Sequence, residues 1–311
     1  MESKNNWKAW LYLAPVLILL AVFTFYPIIN TIYVSFLQGY NYKSGAYDSF
    51  SLYNYMAVLT PYTEEGSYMF NQVMKDALPN TLLITFITVP LSIVFSLLIA
   101  LGLNSIKVLK KFFQTVFFMP YVTNAIAIGM VFAVVFDYDY GVFNAIFGLG
   151  KTGWVSTSDG SGVGYFNGLF AICFYIIWHS LPYKILIFLG GLQNIDAQYY
   201  DAAKIDSAPK WKVALKITVP LLSPQILYML ITSFIGSFKE YNAVVGLFGK
   251  SGGAFVTNGM PSTMKTMVFF IYDQVDKDNV QFASAASVIL LIIIMAITLI
   301  QNKVSKRRVH Y

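Results

Sequence analysis

Charge, cysteine and histidine are all scarce in this sequence. Only 12% of its 311 residues are Asp, Glu, Lys or Arg, whereas 57% are hydrophobic. Soluble domains carry roughly one charged residue in four, so the balance leaves an integral membrane protein as the only available class. The one cysteine, Cys173, lies within an apolar run, which excludes an intrachain disulfide and a thiolate metal cluster. Two histidines, His179 and His310, cannot make a zinc site alone. The net charge of +6 is small and unevenly placed. It points to membrane orientation rather than to a nucleic-acid partner.

Long apolar runs are what the chain has in abundance. Six are expected to span the membrane: about Trp10–Phe36, Ala77–Leu103, Phe112–Phe136, Phe166–Leu192, Val219–Phe238 and Phe282–Ile300. Each approaches the 20 or so residues needed to cross a hydrocarbon core, and only helices fit segments of that length. The first run follows Lys4 and Lys8, yet it is too long for a signal peptide and lacks a small-residue cleavage site. It is read as an uncleaved span, with Trp7 and Trp10 at headgroup level. The expected organisation is therefore 1–36 as N-terminal segment and first span, 37–76 as an external loop, and 77–311 as a core containing a polar loop at 196–220.

Charge sets the expected orientation. With the N-terminus inside, the internal segments hold 13 of the 21 basic residues against Glu2, Asp196, Asp201 and Asp206, a local balance of +9. These basic residues include Lys107, Lys110, Lys111, Lys303, Lys306, Arg307 and Arg308. The external segments, with Asp48, Glu64, Glu65, Asp76 and Asp137 among their acids, come to −4. The positive-inside rule then gives six helices with both termini cytoplasmic.

The internal loop from Asp201 to Pro220, DAAKIDSAPKWKVALKITVP, is amphipathic and holds most of the charge in the middle of the chain. Two short helices joined at Ser207 are expected, with Ser207 as N-cap and Pro209 in the first turn. Trp211, Ala214, Leu215 and Thr218 share one face, and Lys212 and Lys216 stack on another. Ala202 and Ala203 would offer a shallow surface to another protein. From pattern alone, a helix lying on the membrane surface fits equally well.

Asp201-Ala202-Ala203, Asp206-Ser207-Ala208 and Ile217-Thr218-Val219-Pro220 together resemble the EAA loop of the membrane subunits of binding-protein-dependent ABC importers. Asp201 stands for the usual Glu, Ser207 for Gly and Val219 for Leu. Ser207 matters most, since glycine serves where a positive φ is required. The opening AWLYLAPVLILLAVFTFYPIINTIYVSF, residues 78–104, FFMPYV (117–122) and the closing FASAASVILLIIIMAITLIQNKVSKR are similar to the sugar-transporting branch of this family, to its larger permease. The long periplasmic insertion of the enterobacterial maltose branch has no counterpart, because 37–76 is too short for it.

The resemblance implies an all-α membrane protein of the type I importer permease fold in a bacterial cell membrane. It implies a second permease, two ATPase subunits that carry ATP and magnesium, an external solute-binding protein and a carbohydrate cargo, an oligosaccharide. Asp201, Ala202, Ala203, Asp206, Ser207 and Ala208 would contact the ATPase. No cofactor, catalytic residue or nucleic-acid partner is expected in this chain. Transport would proceed by alternating access around a midplane site.

Two glycine-lysine fragments, GLGKT (148–152) and GLFGKS (246–251), look like pieces of a phosphate loop. The full pattern needs a glycine five residues earlier, where Ala145 and Val244 stand. Both fragments also fall in loops assigned outside, so the ATPase is expected to be another polypeptide.

Polar residues within spans are costly and mark function. In the maltose branch of the family, positions matching Trp178, Ser180 and Tyr183 touch sugar; aromatic rings and hydroxyls suit that ligand. Lys239, Glu240, Tyr241 and Asn242, after Phe238, match a second sugar-contacting segment, with two charges in place of neutral amides. Lys184 is either the partner of Glu240 in a buried ion pair or, with Lys239, the feature that faces an acidic sugar. Asn80 and Asn124 line the pathway or bond between helices. A non-sugar cargo remains open, since the loop motif is shared. A stand-alone secondary transporter would show an internal repeat and an intramembrane acid, and a membrane enzyme clustered His, Asp or Glu; neither pattern is clear.

Overall fold

The computed structural model describes residues 6–62, 66–106, 110–159, 161–256 and 261–305. The charges of Glu2, Lys4, Glu64, Glu65, Lys107, Lys306, Arg307 and Arg308, and also His310, lie outside the described residues. The chain is mostly helical. Among the described residues, four helices are long and apolar enough to cross a membrane: α1 (Trp10–Ser35), α3 (Ser67–Ser105), α7 (Tyr165–Gln193) and α13 (Val280–Ser305). The short helix α2 is Tyr53–Leu59. Two bent pairs raise the count to six if each is one span. In the first, α4 (Lys110–Val122) meets α5 (Ala125–Val135) at 106°. The second joins α9 (Lys210–Leu221) to α10 (Ser223–Phe238) at 67°. The remaining helices are α6 (Val142–Phe147), α8 (Ala197–Ile205), α11 (Asn242–Phe248) and α12 (Met267–Asp276).

The third expected span is thus not a straight helix. Asn124 explains the break: its backbone is extended and its side chain accepts from the Ala127 amide at 3.1 Å. It starts a new helix as an N-cap. The fifth span also departs from expectation. Pro220 does not end the loop helix, which runs through a wide turn at Ala214–Thr218 and continues to Leu221. The bend falls at Leu222, and Pro224 occupies the first turn of α10, where a missing N–H costs little.

The chain divides into two compact units, 1–74 with 270–292, and 75–269 with 293–311. In the first, a two-residue antiparallel pairing joins β1 (Leu37–Gln38) to β2 (Ser49–Phe50). Fully buried Asn54 donates to the carbonyls of Ser35 and Leu37 at 3.0 and 2.9 Å. Those bonds satisfy the end of α1, whose apolar window is otherwise uncovered.

In the second unit α7 packs along α3. Thr81, Thr85, Thr88, Ser92 and Ser96 recur on α3 every three or four residues, so they share a face, and all are buried. Thr81, Ser92 and Ser96 each return a hydrogen bond to a carbonyl of their own helix. Small hydroxyl side chains allow close helix approach where lipid gives no hydrophobic drive. Asn80 settles the role left open for it: it donates to the carbonyls of Thr263 and Lys265 and accepts from the Tyr165 hydroxyl. It bonds between segments. Beside it, Asp76 holds Ser262 and Thr263, and Thr81 accepts from the Met267 amide.

α5 and α11 cross with almost no side chain between them. A Cβ built on Gly129 would stand 2.7 Å from the Cα of Gly246, and one on Gly246 would stand 2.8 Å from the Cα of Gly129. Glycine is required at both positions by space. Further out, β3 (Val163–Gly164) pairs in parallel with β4 (Phe255–Val256).

Candidate functional site

Two regions carry the residues singled out by sequence. The first is the elbow formed by α8 and α9. Asp196 caps α8 by accepting from the Gln198 amide at 2.9 Å. At the other end the Ser207 amide bonds the Lys204 carbonyl at 3.0 Å and the Ala208 amide bonds the Ala203 carbonyl at 2.9 Å. This pair of bonds is the Schellman termination, which places the residue after the cap in the left-handed region. That residue is Ser207, with φ +50°.

The expectation that Ser207 caps the following helix is corrected: it closes α8, and Pro209 precedes α9. Glycine suits this position because a Cβ is strained there.

Ala203 is also corrected in part. Only 6% of it is exposed, so it packs within the chain while its neighbour Ala202 faces outward. Asp201, Asp206 and Ala208 sit on or beside the elbow surface, and Asp201 pairs with Lys204 at 2.7 Å in an exposed i,i+3 arrangement. Pairs of that kind contribute little. The larger feature is apolar: Ile205 is 85% exposed, Leu215 62% and Trp211 61%, with the Lys212 ammonium over the Trp211 ring. Of the face read from sequence, Trp211 and Leu215 project outward, whereas Thr218 is buried.

The second region lies where α4, α7 and α10 meet. Tyr183 stacks on Tyr121, with ring centroids 5.6 Å apart and planes 15° apart. The Tyr183 hydroxyl lies 3.1 Å from that of Tyr228. Tyr121 and Tyr228 were not recognised in the sequence; their signal is a tyrosine within an apolar span, and each remains 47% exposed. Ser180 is half-buried and accepts from the Lys184 ammonium at 3.2 Å. Trp178 instead packs on Phe132 and, with Phe95, Phe170 and Leu181, lines an apolar groove of about 700 Å³ between α3 and α7.

Lys184 and Glu240 do not form the expected ion pair. Lys184 is buried and donates to Ser92 of α3 as well as to Ser180. The Glu240 carboxylate accepts from the Ala243 amide at 2.8 Å, in the first turn of α11, where the helix leaves unpaired donors. Lys239 and Asn242 are exposed, and Tyr241 lies against Phe269 at 5.7 Å. Neither glycine-lysine fragment opens a helix, as a phosphate cradle requires. Gly148–Thr152 follows α6, and Gly249–Ser251 forms a short turn after α11.

Outside the spans, Asp159 accepts from the Tyr138 hydroxyl at 2.6 Å and from the Ser161 hydroxyl and amide. The Tyr138 bond, then those of Ser161, lower its carboxyl to about 2. The Lys151 ammonium, with Ser158 behind it, likewise holds Asp139 below the usual carboxylate range.

Comparison with known proteins gives a consistent picture. Residues 92–311 match the family described as the inner membrane component of binding-protein-dependent transport systems. The chain is 31% identical to the arabinooligosaccharides transport system permease protein AraP of Bacillus subtilis, over 95% of this chain and 88% of that protein. It is 29% identical to the lactose transport system permease protein LacF of Rhizobium radiobacter, over 94% and 91% of the two chains. Its fold is similar to that of a chain in the crystal structure of a bacterial ABC transporter that imports the acidic polysaccharide alginate. There the TM-score is 0.74, with 20% identity over 98% of this chain and 96% of the other.

Proposed function

Because the chain belongs to the family of inner membrane components of binding-protein-dependent transport systems, we propose that it is one of two permease subunits of an ATP-driven carbohydrate importer. The cargo is an oligosaccharide, in line with the sugars named for its permease relatives. Each bent pair counts as one span, giving six. Both termini and the elbow are cytoplasmic, and 77–311 forms the core that lines half of the pathway. ATP and magnesium reside on two separate ATPase subunits, and an external solute-binding protein presents the sugar.

The observation that carries this reading is the apolar elbow. Ile205, Trp211 and Leu215 expose large side chains on a polar loop flanked by lysines. Apolar surface of that kind is a docking surface, and α9 passes directly into α10 through the 67° bend. A partner that grips the elbow therefore applies force to a membrane span. The arrangement is suited to transmitting motion.

Co-reconstitution tests the reading. The chain, its second permease, the ATPase subunits and the binding protein, placed together in liposomes, should accumulate oligosaccharide only with ATP. Uptake without an ATPase, or labelling of a cysteine at Lys210 from the external side, would refute it.

A further inference from the structure

Lys184 is the charged feature of the second region whose chemistry is unfinished. Its ammonium lies in the α3–α7 interface, with its residue 6% exposed. It donates to two neutral hydroxyls, of Ser92 and Ser180. An ammonium has three donors and a full charge, and buried charges are ordinarily paired. Among the described residues no carboxylate lies within ion-pair distance of it. Glu240, the acid that the sequence offered, is committed to the amide of Ala243. None of the described acids therefore serves as its counter-ion, and the ammonium is left with a charge to share with a bound ligand.

The direction of approach is legible. Ser92 is sealed, at 1% exposed, but Ser180 is half-buried. It sits three residues before Tyr183, on the side of α7 where Tyr121 and Tyr228 remain about half exposed. We infer that Lys184, with Ser180, binds the carboxylate of an acidic sugar in the pathway, so that the cargo is a uronate-type oligosaccharide. This rests on the carbohydrate-permease reading and adds the charge of the substrate.

A flat sugar face would lie on the tyrosine rings while its carboxylate accepts from the ammonium and the Ser180 hydroxyl. A phosphate is the poorer fit. Its recognition favours guanidinium forks, and the only arginines in the chain are Arg307 and Arg308 at its end. The lysine stem has four flexible carbons, so the ammonium can turn from Ser92 toward the ligand without moving the helix.

The test uses the whole complex with its binding protein in liposomes and compares uptake of a neutral oligosaccharide with its uronate-containing analogue. Lys184→Met should lower uronate uptake on the order of 10- to 100-fold, the loss expected for one hydrogen bond to a charged group. The ratio of uronate to neutral uptake should fall by about tenfold or more, because only the uronate loses a charged partner. Equal loss of both, or loss of neither, overturns the inference. Should Lys184→Met fail to assemble with the ATPase, Ser180→Ala is read by the same ratio, and an unchanged ratio overturns it. A wild-type complex that carries only neutral sugar overturns the acidic-cargo inference and leaves the carbohydrate reading standing. One that carries no glycan of either kind overturns both.

Discussion

Replacing Ser207 by glycine should tighten the elbow. Ser207 sits at φ +50°, where an L-residue is disfavoured by roughly 1–2 kcal/mol. Glycine escapes that cost, but its greater freedom in the unfolded chain returns roughly 0.5–1 kcal/mol. The net gain expected for Ser207→Gly is about 0.5–1 kcal/mol, because the serine is exposed and its amide bonds are backbone bonds that glycine keeps. Those bonds, from Ser207 to Lys204 and from Ala208 to Ala203, supply the assay. Their amides should exchange with deuterium about two- to fivefold more slowly in the variant, since 1.4 kcal/mol is a factor of ten. Ser207→Val should act oppositely, as a β-branched side chain is worst suited to positive φ. Faster exchange in the glycine variant, or no change with valine, would refute the account of how α8 ends.

Trp211→Glu and Ile205→Asp should leave membrane insertion intact and weaken retention of the ATPase by about tenfold or more, as expected where large apolar anchors dominate an interface; co-purification in detergent reads this directly. Gly129→Val should destabilise the core by about 2 kcal/mol or more, because the new side chain meets backbone at Gly246 and overpacking has no flexible neighbour to move; thermal unfolding in detergent measures it. Tyr121→Ala should reduce uptake by about tenfold while leaving binding-protein-independent ATPase activity unchanged, reflecting one lost stacking surface. Asp159 titrates at about 2 in the folded chain, below the ordinary carboxylate value. Its bonds therefore support the 137–165 loop above about pH 4 and are lost as pH falls from about 4 to about 2. Proteolysis of this loop should rise across that window, and Asp159→Asn should abolish the dependence.

Hydropathy located two of the four long helices to within a residue at either end, 166–192 being Tyr165–Gln193 and 10–36 being Trp10–Ser35. The span expected at 77–103, however, begins ten residues earlier, at Ser67, within the stretch expected to be an external loop. Lipid demands an uninterrupted apolar length, and that demand is written locally. The breaks were not legible for the converse reason. Thr123-Asn124 carries no proline or glycine, and what bends the chain there is a cap whose value depends on where α5 must go. Lys184 was matched to Glu240 by charge alone, yet Ser92, 92 positions away, holds it. A neutral hydroxyl within an apolar run gives no sign of which cation it will meet. The tyrosine cluster was missed similarly, because Tyr121, Tyr183 and Tyr228 converge only once three helices pack. Ser207 was flagged as a departure from glycine, and the left-handed conformation shows why that residue type matters.

Gly129 and Gly246 bear on how the core can move. Ordinary helix contacts are cushioned by side chains that change rotamer and let one rod slide past another. Here main chain rests on main chain, so the joint has no such play. A side chain added at either glycine would force the two helices apart, so the close seat of α5 on α11 depends on both glycines being kept.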